Sequence, residues 1–216
     1  MTEIIIQKIL IGILQTLEMT FFASLFAYIV GLPVGIILYA TAKDRILENR
    51  PVNFIIGLIV NIFRSLPFLI LLVLFIPVTR FITGSSIGTV ATIVPLTIGA
   101  IPIIARMVES SLCEVSPGII EAAVSMGASP WYVIWHFILP EAMPSLLLGG
   151  AINVATVLGY SAMAGVIGGG GLGALALQYG YYRYQTDVLW TTVTILIIMV
   201  MMTQGAGNMI SKKVRK

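Results

Sequence analysis

The segment Arg106–Pro144, RMVESSLCEVSPGIIEAAVSMGASPWYVIWHFILPEAMP, lies between long apolar blocks and decides how the rest of the chain is read. Ser116-Pro117 places a helix-capping residue before a proline at the first helical position. Gly127 suits the left-handed residue that closes a helix. Ser129-Pro130 repeats the start signal, and Pro140, which lacks a backbone donor, is expected to end the second helix. The spacing predicts two short helices, Pro117–Met126 and Pro130–Leu139, joined at a tight corner. A bilayer crossing takes about 20 apolar residues, so neither can span. Both are expected along a membrane surface, with Trp131, Tyr132 and Trp135 at headgroup depth.

On either side of this segment, four blocks free of acidic and basic residues except Arg64 each suffice for one crossing: Met19–Ala42, Pro51–Thr79, Phe81–Ala105 and Val188–Ser211. Ala142–Tyr182 is longer, but Gly168–Gly171 and Gly173 leave only Ala174–Tyr182 beyond them, too little for a second crossing. The glycine cluster is therefore expected as a compact external turn. It lacks the Lys-Ser/Thr of a phosphate loop and no strand precedes it, which excludes ATP binding by this chain. The expected fold is all-α: one polytopic membrane domain over 1–216, five spans near 19–42, 54–79, 84–106, 145–167 and 188–209, and a two-helix hairpin within 107–144. The run Ile4–Leu17, flanked by Glu3 and Glu18 and carrying Lys8, reads as an interfacial helix or an extension of the first span. No basic start precedes it, so a cleaved signal peptide is not expected.

Composition agrees. Of 216 residues, 58% are hydrophobic and 10% charged, against roughly 25% charged in soluble domains, which excludes an ordinary soluble globule. One Cys and one His exclude a disulfide scaffold and a four-Cys zinc site, and no cofactor, metal or catalytic set is expected. A net charge of +3 is too small and scattered for nucleic acid. The basic residues sort by side. Lys43, Arg45, Arg50, Arg106, Lys212, Lys213, Arg215 and Lys216 fall on one side of a five-span chain, and Lys8, Arg80 and Arg183 on the other. This predicts a cytoplasmic C-terminus and an external N-terminus.

Glu121-Ala122-Ala123 combines a carboxylate with small residues, which suits either a solvated helix or a docking surface that accepts a partner's cation. The segment resembles the EAA loop of the permease subunits of bacterial ABC importers: E-A-A, then Gly127, then Leu139-Pro140, with Phe137 where the pattern has Ile. That resemblance implies a type I importer permease fold in the bacterial plasma (inner) membrane, with Glu121, Ala122, Ala123, Gly127, Leu139 and Pro140 docking into a separate ATP-binding subunit. The stretches Asn61–Phe68, Ile104–Glu109 and Gly159–Gly165, with the Gly169–Gly173 loop, look most like the methionine-uptake branch. The branch implies two copies of this chain, two ABC ATPase subunits, an extracytoplasmic substrate-binding lipoprotein, and methionine (D or L) or a related amino acid as cargo.

The candidate pathway residues are Arg64, Pro67, Phe68, Asn153, Thr156, Tyr160, Ser161 and Met163. A mid-membrane Arg costs about 2.5–3.5 kcal/mol on insertion scales, so Arg64 should face protein or water, either paired structurally or set in a pathway. Pro67 is expected to kink its span. Asn153, Thr156 and Tyr160 follow i, i+3, i+7, a polar stripe that suits a pathway or hydrogen bonds between helices. Met163 offers a flexible thioether. Arg106 and Glu109 suit an intrahelical pair or an anchor to the hairpin. The tyrosines at 179, 181, 182 and 184 beside Arg183 suit an interfacial belt or a contact for an external protein. The rival functions are an ion-coupled secondary transporter, which wants a buried acid although all nine acidic residues lie outside the apolar cores, and an intramembrane protease pairing Ser161 with His136.

Overall fold

The computed structural model describes residues 3–214, and every regular element among them is helical. The first helix, α1, runs unbroken over Glu3–Thr41, so the Ile4–Leu17 run is an extension of the first span. A loop leads to α2 (Arg50–Ser65), whose Asn49 cap accepts the Val52 N–H. Short helices α3 (Phe68–Leu74) and α4 (Ile76–Thr83) follow. Next come α5 (Thr89–Cys113), α6 (Pro117–Ser125) and α7 (Pro130–Val133). A π-turn over Ile134–Ile138 joins α7 to α8 (Leu139–Ala164). After a 3-10 turn, α9 (Gly171–Leu175) and a π segment (Ala176–Tyr181) lead to α10 (Thr186–Val214). Four helical rods are long and apolar enough to cross a membrane, and the bent pair α2–α3 brings the number to five if its two halves form one broken span. Arg215 and Lys216, two of the tail cations in the charge argument, lie outside the described residues.

The core is the seam between α1 and α5. Ala23, Ala27, Gly31 and Gly35 recur every fourth residue along one buried stripe of α1. Such small-residue repeats let helix backbones approach closely where lipid leaves no hydrophobic drive for association. At Gly35 a Cβ would stand 2.5 Å from the Ala105 carbonyl oxygen. The span holding Pro67 is broken rather than gently kinked: α2 and α3 meet at 104°. The cause is local, since Leu66 before the proline is extended (φ −78, ψ 128), as a residue preceding proline prefers.

Two expectations are corrected. Pro140 does not end the second hairpin helix, which continues as one apolar rod over Pro130–Ile167. The π-turn is the reason. The Leu139 N–H reaches back five residues to the Ile134 carbonyl, and this shift of register accommodates a proline in the first turn of α8. The turn expected of the glycine cluster is confined to Gly168–Gly170, where Gly168 and Gly170 are left-handed, and the rest of the cluster is packed inside. Gly171, Leu172, Gly173 and Ala174 are buried against α1, where Gln15 Oε1 accepts the Gly171 N–H and Thr16 Oγ1 the Leu172 N–H, both at 2.9 Å.

Candidate functional site

Two places carry candidate residues: the hairpin and a cavity between helices. In the hairpin, α6 is followed by Met126 at its cap and then by Gly127, whose φ of +82 is left-handed, and the Ala128 N–H closes back on the Ala123 carbonyl at 3.2 Å. This is the six-residue closure of a Schellman end, which favours glycine at its left-handed position. Ser116 and Ser129 occupy the cap positions, but their hydroxyls make no capping bond. Their carbonyls instead accept from Ile119 at 3.2 Å and Val133 at 3.0 Å.

The Glu121–Gly127 face is divided. Ala123 is 0% exposed and belongs to the same core as Val133, Ile134 and Ile138. Glu121, Ala122, Val124 and Gly127 are exposed, as is Met126 at 73%. Among the described residues, its two chain neighbours aside, nothing lies within 4 Å of where a Gly127 side chain would begin. Leu139 is buried and Pro140 exposed. The hairpin thus presents one carboxylate, small residues and apolar side chains with no covering element among the described residues.

The cavity, about 330 Å³, lies where α2, α3, α5 and α8 meet. It brings together four candidates: Arg64, Phe68, Thr156 and Tyr160. Phe68 and Tyr160 stack with centroids 4.0 Å apart and planes within 6°. Pro67 stands at the break just before Phe68. Asn153 and Ser161 do not line this cavity. Both are buried in helix packing, and the Ser161 hydroxyl donates to the Leu158 carbonyl at 2.7 Å. Met163 is exposed elsewhere. Gly99 and Ile103 also line the cavity, although no motif in the sequence marks them. Gly99 makes room for the Phe68 ring, which would stand 3.3 Å from a Cβ there.

Arg106 does more than pair with Glu109 at 2.6 Å. Its Nη2 donates to Asn61 Oδ1 at 2.9 Å, which ties α5 to α2 rather than to the hairpin. Ser145 donates to the Ser111 hydroxyl at 3.0 Å, joining α8 to α5 close to the hairpin. At the opposite end, Tyr179 meets Lys8 through a hydrogen bond, and the Arg183 guanidinium lies 4.5 Å above its ring. The protease pairing does not form. His136 and Ser161 sit on the same Pro130–Ile167 rod, about 38 Å apart at 1.5 Å per residue.

The family described as binding-protein-dependent transport system inner membrane component matches residues 31–216. The chain is 49% identical over 200 residues to the probable D-methionine transport system permease protein MetI of Vibrio cholerae, covering 93% of this chain and 89% of that protein. It is 48% identical over 165 residues to the D-methionine transport system permease protein MetI of Escherichia coli K12, covering 76% of each. Among solved structures, an inward-facing conformation of the MetNI methionine ABC transporter superposes with a TM-score of 0.98 at 46% identity, covering 100% of both chains. An amino acid ABC transporter solved with histidines matches at a TM-score of 0.79 over 96% of this chain and 94% of that one, and at 21% identity it shares the fold.

Proposed function

The chain belongs to the family of binding-protein-dependent transport system inner membrane components, and from that membership we propose that it is the membrane-spanning permease of an ATP-driven methionine importer. D- or L-methionine or a closely related amino acid is the cargo. Two copies form the pathway, two separate ATPase subunits drive it, and an extracytoplasmic binding protein delivers the substrate. The observation that carries the reading is the uncovered hairpin: Glu121, Ala122 and Gly127 face open space on a segment too short to span. Five crossings are few to enclose a path, so a two-fold dimer suits the chain.

The hairpin end is cytoplasmic and the Lys8–Tyr179 end external. The basic residues at 43, 45, 50, 106, 212 and 213 support this sidedness. Cys113, exposed near the hairpin, offers a direct check. A membrane-impermeant maleimide is expected to label it only after cells are permeabilised, and labelling of intact cells would reverse the orientation.

In this mechanism the hairpin is a lever. The rod that begins at Pro130 in the hairpin carries Thr156 and Tyr160 into the cavity about 40 Å away. Closure of an ATPase pair against Glu121–Gly127 would swing that rod, and the Arg106–Asn61 clasp would carry α2 along with α5. The cavity then opens to alternate sides, a two-state switch biased by nucleotide. The test is reconstitution with the ATPase and binding protein encoded beside this chain. Substrate-stimulated ATP hydrolysis and ATP-dependent methionine uptake are expected. Uptake by this chain without any ATPase would defeat the reading.

A further inference from the structure

We propose that Arg64 holds the carboxylate of the amino acid in transit, with the Phe68–Tyr160 ring pair receiving its apolar side chain. The inference rests on the importer reading and adds a recognition residue to it. Arg64 is the single charged residue within Pro51–Thr79, where such a cation needs water or an anion. Arg106 shows what a structurally committed arginine looks like in this protein, with a carboxylate at 2.6 Å and an amide oxygen at 2.9 Å. Arg64 is exposed and makes no such contact among the described residues. It borders the 330 Å³ cavity, which no Asp or Glu lines. A cavity with one cation and no anion is complementary to a negative group, and guanidinium binds carboxylate through two parallel hydrogen bonds.

The remaining lining fits the rest of an amino acid with a thioether side chain. The stacked rings offer faces and edges to a sulfur, a contact worth about 0.3–1.5 kcal/mol. The Thr156 hydroxyl donates to the Ile152 carbonyl, and its oxygen keeps lone pairs for an ammonium group.

The test measures equilibrium binding of radiolabelled methionine and of methioninamide, whose carboxylate is replaced by a neutral amide. It uses the assembled permease–ATPase complex without binding protein and counts binding beyond that of the ATPase alone. Arg64→Met is expected to weaken methionine binding about tenfold or more, and Arg64→Lys to lose less. Methioninamide is expected to bind weakly and equally to all three. Equal binding of the two ligands to the unaltered complex, undiminished methionine binding by Arg64→Met, or no saturable binding at all would overturn the proposal. Failure of Arg64→Met alone to assemble would assign the residue to packing between copies and would overturn it too. Failure of the importer reading shows separately, as absence of ATP-dependent uptake by the unaltered complex with its binding protein.

Discussion

Gly127 and Gly173 have the same side chain and opposite surroundings. At Gly173 the chain fills the space itself: a Cβ would collide with the Ala162 carbonyl oxygen, and the residue is buried between α8 and α1. At Gly127 the backbone is left-handed, and none of the described residues beyond its chain neighbours approaches where a side chain would be. The first glycine permits contact within one chain. The second closes a helix and leaves a surface bare, at the end of the molecule where a partner is proposed to press. Glycine therefore serves close packing in one place and a left-handed corner beside a proposed docking surface in the other, and only the surroundings tell them apart.

The contrast can be broken most severely at Gly173. Gly173→Ala sets a methyl against backbone that has no rotamer to yield, and overpacking of this kind costs about 3 kcal/mol or more. The expected outcome is a large drop in detergent unfolding temperature and in membrane-inserted yield. Unfolding at the unaltered temperature would remove the distinction.

A finer test lies inside the hairpin, where adjacent alanines face opposite ways. Ala123→Leu enters the core and is expected to destabilise the protein by about 1–3 kcal/mol. Ala122→Leu, on the exposed side, is expected to leave thermal unfolding within about 0.5 kcal/mol while weakening the ATPase complex. Unfolding curves and co-purification with the ATPase check the pair, and identical behaviour of the two variants would erase the two-faced hairpin.

The smallest expected effect belongs to Glu48, in the loop between α1 and α2. Its carboxylate accepts the Asp44 N–H at 3.0 Å and Arg50 Nε at 2.8 Å, and these contacts hold it below the ordinary carboxylate range. A lowered folded value means the contribution is present above the unfolded value and fades as pH falls through the folded one. Glu48→Gln is expected to lower the unfolding temperature slightly at neutral pH, with the difference vanishing in acid. A thermal scan at several pH values checks the sign.

The hairpin was legible in the sequence because its signals are local: two Ser-Pro starts and a glycine at the corner lie within a few residues of the turns they specify. The continuation through Pro140 was not, because a π-turn is a change of hydrogen-bond register that demands no particular residue. The burial of the glycine cluster was hidden for another reason. Gln15 and Thr16, which accept its N–H groups, are 156 residues away along the chain. The polar stripe of Asn153, Thr156 and Tyr160 reads as one lining, yet Asn153 is packed away from the cavity. Residues seven apart share a helical face but stand about 10 Å apart along the axis, so they meet different neighbours. Gly99 escapes notice in the sequence because its role depends on the ring of Phe68, which arrives only once α3 has broken from α2.

On the proposed function, Gly127 is kept bare for the ATPase subunit. This is tested most directly by titrating the ATPase subunit against the purified unaltered protein and Gly127→Asp, with thermal unfolding recorded on the same samples. For Gly127→Asp, association is expected to be at least about tenfold weaker, equivalent to 1.4 kcal/mol, with unfolding lowered by no more than the roughly 1–2 kcal/mol of a left-handed non-glycine residue. Association undiminished by the aspartate, or lost only in step with the fold, would contradict it.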